Sequence, residues 1–115
     1  MKLVDQRNGR AVADRVEVAG RLPARLAGLM LRRSFPPGSA LVIPKCRQVH
    51  TCLVRFPIDL IFLDADGRVL GLEERVAPWR VSGFYRNASR AVELPSGAIR
   101  SAGVEVGDHQ TNSSE

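Results

Sequence analysis

The chain has 115 residues, of which 44% are hydrophobic and 25% are charged, a balance typical of one globular domain with its own core. The net charge is +5, but no block of five basic residues occurs and aromatic residues for base stacking are few, so nucleic acid is not expected as a partner. The most apolar run, residues 58–63, is far shorter than the roughly 20 residues of a membrane span, and the N-terminus lacks an apolar signal region, so we expect a cytoplasmic protein with no membrane association.

The N-terminal third predicts one strand and one helix. Asn and Gly at 8–9 form a turn signal, and the valines that follow alternate with other residues over 12–18, as in a strand. The apolar spacing then changes to three and four residues, and Pro23 suits the first turn of a helix. We therefore predict a short amphipathic helix over residues 23–32, which the Pro-Pro-Gly sequence at 36–38 ends.

The rest of the chain predicts short strands separated by turns. Residues 64–67, Asp-Ala-Asp-Gly, are the strongest hairpin signal, because Asp-Gly favours the tight turns that join antiparallel strands. One helical turn fits residues 98–102 with Gly103 after it, and residues 111–115 predict a disordered polar tail. Further strands are predicted over 39–44, 46–54, 58–63, 68–76 and 90–94, with a loop or edge strand over 78–85 and a last strand or turn from 107. About seven short strands favour a mostly β fold, either a compact β-sandwich or a small barrel.

Cys46, His50 and Cys52 are the residues that could bind a metal or act as a nucleophile and its base. On a straight strand all three share a face, but Cys46 and His50 would lie ~13 Å apart, too far to share one zinc ion. His50 and Cys52, ~6.6 Å apart, could share an ion with a ligand from Asp59 or Glu93, although the spacing matches no common zinc motif. The same pair could form a Cys-His nucleophile, but no glycine-rich turn marks an oxyanion hole. We predict no metal site, keep His50 and Cys52 as the weaker alternative, and expect no cofactor.

Asp59 is a lone acid inside the apolar run. A buried charge is costly unless it is paired or hydrogen-bonded. One interpretation is structural: the carboxylate accepts backbone N–H groups or pairs with Arg55, Arg80 or Arg90. The other is a carboxylate in a binding site, and the sequence leaves both open.

Trp79 is the only tryptophan and falls in a predicted loop between Pro78 and Arg80. Such a residue either covers the core or contacts a partner. An exposed apolar patch around Trp79, Phe84 and Tyr85 would indicate a protein-interaction module, whereas a fully buried Trp79 would count against it.

Several short motifs follow one another in a fixed order along the chain. They begin with Gly-Leu-Met-x-Arg at 28–32 and continue with His-Thr at 50–51, Arg-Phe-Pro-Ile-Asp at 55–59, Asp-x-Asp-Gly at 64–67, Pro-Trp-Arg at 78–80, Val-Glu-Leu-x-x-Gly at 92–97 and Gly-Asp at 107–108. This set resembles the DUF192 family of small bacterial and archaeal proteins. Leu53-Val54 replace the Gly-Met that usually precedes the arginine in that family.

The resemblance implies a single compact domain over residues 10–110, mostly β, of sandwich or jelly-roll type with a short early helix. It implies no activity, since the family is one of unknown function, but it assigns to family motifs the polar residues His50, Thr51, Arg55, Asp59, Trp79 and Glu93. With Arg80 at the rim, these residues are our hypothesis for a site that holds a small polar or anionic ligand, because arginine donates paired hydrogen bonds to carboxylate or phosphate. A pocketless protein-interaction module and a Cys/His or metal-dependent enzyme are the alternatives, and the residues favour binding over catalysis.

Overall fold

The computed structural model describes residues 2–19 and 34–113. The helix predicted over 23–32, and with it the Gly-Leu-Met-x-Arg motif, lies outside the described residues. Within them no helix is long and apolar enough to cross a membrane.

The described residues form eight strands and one short helix. The strands are β1 (Lys2–Asp5), β2 (Ala11–Ala13), β3 (Arg15–Val18), β4 (Ser39–Pro44), β5 (Ile58–Leu63), β6 (Val69–Val76), β7 (Arg90–Pro95) and β8 (Gln110–Ser113), and the helix is α1 (Ala98–Ala102).

The strands are arranged in two sheets. The larger has the order β3-β4-β7-β5-β6, with β3 and β4 parallel and all other neighbours antiparallel. The smaller has the order β2-β1-β8 and is antiparallel. Neither sheet closes on itself within the described chain, so the mostly β prediction is confirmed as a two-sheet architecture and its small-barrel variant is not adopted.

The five-stranded sheet is buried on both faces. A first core contains apolar residues from both sheets and α1, and a second core covers the opposite face with residues from the segments 46–56 and 85–88. This explains why β5 is apolar along almost its whole length: a strand with two buried faces needs no polar alternation.

Strand alternation then decides which face each polar side chain meets. Asp59 shares its parity with Ile61 and Leu63, which belong to the first core. Glu93 lies opposite Leu60 in the β5–β7 ladder, and Leu60 belongs to the second core. The two buried acids therefore lie on opposite faces of the same sheet.

Two local predictions are confirmed. The β5–β6 hairpin turns at Asp64 to Gly67, where the Gly67 N–H donates to the Asp64 carbonyl at 3.1 Å and Gly67 has φ 88°. Hydrogen bonds from the backbone N–H groups of Arg68 and then Asp66 lower the pKa of Asp64. The second confirmed prediction is α1, which ends at Gly103, a glycine whose φ of 67° lies in the left-handed region.

Three local predictions differ from the structure. The strand predicted over 12–18 divides at Asp14, where both Asp14 and Arg15 donate their N–H to the Gly38 carbonyl and the chain passes from one sheet to the other. The segment 46–54 is a loop rather than a strand and carries only an isolated bridge between His50 and Val81. Residues 111–113, expected in the polar tail, pair with β1, because backbone hydrogen bonds at a sheet edge form without regard to side-chain polarity.

Candidate functional site

Two long loops, residues 46–54 and 77–85, lie side by side and are named here the loop pair. The Ser82 N–H donates to the Val49 carbonyl at 2.8 Å, and the Thr51 N–H donates to the Arg80 carbonyl at 2.8 Å. The first loop contributes apolar residues to the second core, and Tyr85 at the end of the second loop packs against it. The structure thus brings together four predicted site residues from two separate stretches of the sequence: His50, Thr51, Trp79 and Arg80.

Thr51 is fully buried and joins the two loops. Its hydroxyl donates to the Ala77 carbonyl at 2.7 Å and accepts the Arg80 N–H at 2.8 Å. Its carbonyl accepts the N–H groups of Trp79 at 3.1 Å and Val54 at 3.2 Å. Because its polar atoms are used inside the protein, Thr51 holds the shape of the loop pair and offers nothing to a ligand.

The loop pair exposes several large apolar side chains. Its large exposed side chains are Leu53 (41% exposed), Trp79 (63%), Val81 (64%) and Phe84 (63%), which we name the loop-pair surface. His50 lies opposite Val81 in the isolated bridge, so these two exposed side chains share one side of the paired segments. Scattered exposed apolar residues are normal, whereas these four lie on two loops that are hydrogen-bonded to each other.

Backbone strain accompanies this surface. Leu53 has φ 63° and Trp79 has φ 62°, and both are non-glycine residues in the left-handed region. That conformation costs roughly 1 kcal/mol or more for a bulky residue. The N–H groups of Trp79 and Val54 both donate to the Thr51 carbonyl, and these hydrogen bonds offset part of that cost. The loop pair therefore presents Leu53 and Trp79 outward at an energetic cost.

Asp59 lies away from the loop pair and is fully engaged. One carboxylate oxygen, Oδ1, accepts the Arg75 N–H at 2.9 Å. The other, Oδ2, accepts the N–H groups of Gly97 at 3.1 Å and Ile99 at 3.0 Å, at the start of α1. Gly97 has no side chain that could cap this helix, so Asp59 supplies the cap from β5.

Glu93 and Arg55 complete the set of predicted ligand residues. Glu93 is 4% exposed in the middle of β7, faces the second core and has an interaction partner. Arg55 is exposed, directly after the buried Val54. The structure therefore places Asp59 on the face of the sheet opposite the loop pair, whereas Glu93 faces the second core, to which the loop pair contributes.

The cysteines form no disulfide. Cys46 is buried, with its thiol 3.2 Å from the Gln48 carbonyl, and Cys52 is half-buried. The Cys52 backbone N–H donates to His50 Nδ1 at 3.3 Å, so that ring nitrogen serves as an acceptor for the loop. Among residues 2–19 and 34–113, no three His, Cys, Asp or Glu side chains are grouped to hold a metal ion.

A buried polar cluster joins the two ends of the chain, and its only signal in the sequence is the Gly-Asp motif at 107–108. The Arg7 Nε donates to Asp108 at 2.8 Å, and the Gln110 amide donates to Asp5 at 3.0 Å. Burial, then the hydrogen bond with Asp108, raises the pKa of Asp5. Burial also acts to raise the pKa of Asp108, but hydrogen bonds from Asp5, the Glu105 N–H and Arg7 outweigh it and lower that pKa. The cluster ties β1 to β8 and the turn before it.

Comparison with known proteins agrees with the motifs in the sequence. The family model DUF192, described as an uncharacterized ACR, matches residues 3–111. A UPF0127 protein of Pyrococcus furiosus is 35% identical over 106 residues, covering 87% of this chain and 88% of that protein. A UPF0127 protein of Thermococcus sibiricus is 29% identical over 110 residues, covering 92% of this chain and 71% of that protein.

Two crystal structures are similar to the fold. One, from Sinorhizobium meliloti and described as a candidate transcription regulator, has a TM-score of 0.80 at 26% identity and covers 96% of this chain and 89% of its own. The other, a protein of unknown function from Novosphingobium aromaticivorans, has a TM-score of 0.84 at 18% identity, covers 97% of this chain and 84% of its own, and shows the fold alone. Since the family model spans both sheets, the loop pair and the terminal cluster, the chain belongs to the DUF192 family, whose function is not characterised.

Proposed function

We propose that this protein is a binding module and that its loop-pair surface docks a protein segment of mixed apolar and acidic character. The proposal rests on one observation: four large apolar side chains are exposed on two loops that are hydrogen-bonded to each other. They are Leu53, Trp79, Val81 and Phe84. Tryptophan and arginine are among the residue types that contribute most to protein interfaces, and Trp79 is followed directly by an exposed Arg80.

Charge favours an acidic partner. The loop pair carries Arg80 and His50 beside the apolar side chains, Arg55 follows it, and the whole chain has a net charge of +5. Complementary charge at the rim of an apolar patch speeds association and selects partners. The hydrogen bonds of Thr51 hold the two loops together, and a rigid surface loses less conformational entropy when it binds.

The other interpretations of the site have less support. A small polar ligand held by Asp59 would have to compete with three backbone N–H groups for the same oxygens. A nucleophilic Cys52 would need His50 as its base, and His50 Nδ1 already accepts the Cys52 N–H. A cytoplasmic location is part of the proposal, because the two cysteines are not joined in a disulfide, as is usual in a reducing compartment.

Selection from a random peptide library tests the proposal, because such a library samples many partner sequences at once. We expect the wild-type protein to enrich peptides that combine aromatic or aliphatic residues with Asp or Glu. Their affinity should fall about tenfold or more in Trp79→Ser, equivalent to about 1.4 kcal/mol. Val106→Ser is the matched control, because Val106 is also 63% exposed but lies outside the loop pair.

Two results would contradict the proposal. Peptides that bind Trp79→Ser as tightly as the wild type, or a library from which nothing is enriched, would remove the loop-pair surface as a docking site. Thermal unfolding of both variants checks that neither substitution disturbs the fold.

A further inference from the structure

A second surface, which contains none of the four residues of the loop-pair surface, is a shallow groove with basic walls. Its volume is about 650 Å³, and it is lined by Lys45, Arg47, Arg86, Asn87, Ala88 and Ser89. Three of these six residues are cationic and none of the six is acidic. The six side chains together therefore carry a formal charge of +3.

The backbone holds the basic residues in place from both sides. The Lys45 N–H donates to the Ser89 carbonyl at 2.7 Å, and the Tyr85 N–H donates to the Arg47 carbonyl at 2.8 Å. A turn then brings the Ala88 N–H to the Tyr85 carbonyl at 3.0 Å, across Arg86. The three basic residues therefore lie on two segments that are hydrogen-bonded to each other.

The backbone of Lys45, which lines the groove, is strained. Its φ is 53°, in the left-handed region, at the point where β4 ends and the chain enters the groove wall. A non-glycine residue held there costs free energy, and such residues are found more often at functional sites. Like charges gathered along one groove also repel one another, so the groove favours an anion electrostatically.

We propose that this groove binds the phosphate monoester group of a small molecule. A phosphate monoester carries a charge of about −1.5 to −2 at pH 7, which complements the cationic lining. Arg47 and Arg86 can donate paired N–H groups to phosphate oxygens, and Asn87 and Ser89 add neutral donors. The proposal goes beyond the protein-docking function and rests on none of the four residues of the loop-pair surface.

The shape of the groove favours a small ligand over a nucleic-acid strand. No aromatic side chain of the described residues lines it, whereas single-strand binding depends on bases that stack on aromatic rings. Tyr85, the aromatic residue in the adjoining turn, is stacked on Phe62 with ring centroids 4.1 Å apart, so that face of its ring is not available to a base. The volume lies within the range of pockets that hold small molecules.

The test is an amide-correlation NMR titration of the full chain with phosphoserine and with inorganic phosphate, at constant ionic strength, against acetate. We expect saturable shifts at residues 45–47 and 86–89 with phosphoserine, and weaker or no shifts with acetate. Arg47→Gln and Arg86→Gln should each raise the Kd about fivefold or more, since each removes a charged donor. Arg100→Gln is the control for charge alone, because Arg100 is an exposed arginine on α1, outside the groove.

Three outcomes would overturn the proposal. The first is an equal loss of affinity in Arg100→Gln, which means unspecific attraction to a basic protein. The second is a lack of saturation, or shifts that lie elsewhere. The third is a short single-stranded or duplex DNA that shifts the same amides at far lower concentration than phosphoserine. Because Trp79→Ser should leave this titration unchanged, failure of the groove and failure of the docking surface are separable.

Discussion

Replacing Asp59 by alanine should destabilise the fold strongly, because this one carboxylate satisfies three backbone donors. Asp59 is fully buried, and its oxygens accept N–H groups at 2.9, 3.1 and 3.0 Å. A hydrogen bond to a charged group contributes about 1.5–3 kcal/mol, but water can partly replace Asp59 at the donors that are less buried. We therefore expect a loss of roughly 3–5 kcal/mol in the free energy of unfolding, a large part of the about 5–15 kcal/mol that a domain of this size has.

Asp59→Asn separates the two oxygens of the carboxylate. Its remaining oxygen can still accept the N–H groups of Gly97 and Ile99, while its NH₂ group faces the N–H of Arg75 and leaves that donor unsatisfied. We expect an intermediate loss of about 2 kcal/mol, so that stability falls from wild type to asparagine to alanine.

Urea unfolding at neutral pH measures both losses. Asp66→Ala is the matched control: Asp66 is exposed, and the carboxylate that accepts backbone N–H groups in the β5–β6 turn belongs to Asp64, so the change should alter stability by less than about 0.5 kcal/mol. If Asp59→Ala loses less than about 1 kcal/mol, the carboxylate does not support the backbone as described, and a ligand-binding role for Asp59 becomes the better interpretation.

Three further predictions concern other buried contacts. Gly71→Ala should destabilise the protein by about 1–3 kcal/mol in urea unfolding, since a Cβ at this position would lie 2.1 Å from the Tyr85 ring. Asp108→Asn should lower stability at pH 7 by more than Asp5→Asn, and equal losses would contradict this. The lowered pKa of Asp108 means that its charged form stabilises the fold at neutral pH, and that this stabilisation is lost as the pH falls through the pKa of the folded state. The raised pKa of Asp5 has the opposite sign, because the fold favours its protonated form. Burial, together with the hydrogen bond to Glu73, raises the pKa of Tyr85 to about 12, so the phenolate absorbance of this sole tyrosine should appear near pH 12 in the native protein and near about 10 when unfolded. Its stabilisation is therefore lost as the pH rises through that window, and a native midpoint near about 10 would contradict the buried contact.

Local chemistry explains what the sequence can predict. The turn at 64–67 needs only Asp and Gly at the right offset, and the end of α1 needs only Gly103. The apolar run of β5 indicates a buried strand, although the second core that covers its other face cannot be inferred from the run itself. In each successful prediction the deciding interaction lies within a few residues of the signal.

Long-range contacts explain what the sequence does not predict. Asp59 stands out as an acid in an apolar strand, but its partners lie 16, 38 and 40 residues away. The contact between Asp5 and Gln110 spans 105 residues, so nothing near either one indicates the pairing of β1 with β8. Trp79 has a left-handed backbone, and its N–H donates to Thr51 on the other loop, a contact that no residue beside the tryptophan indicates.

The role of the loop-pair surface is tested most directly by the indole N–H resonance of Trp79, which belongs to the only tryptophan of the chain. It should be followed in an amide-correlation NMR spectrum while a selected acidic, apolar peptide is added. Docking on this surface predicts that the indole resonance shifts with the same Kd as the amides of residues 50–54 and 77–85. An unchanged indole resonance, with shifts grouped elsewhere on the protein, would contradict it.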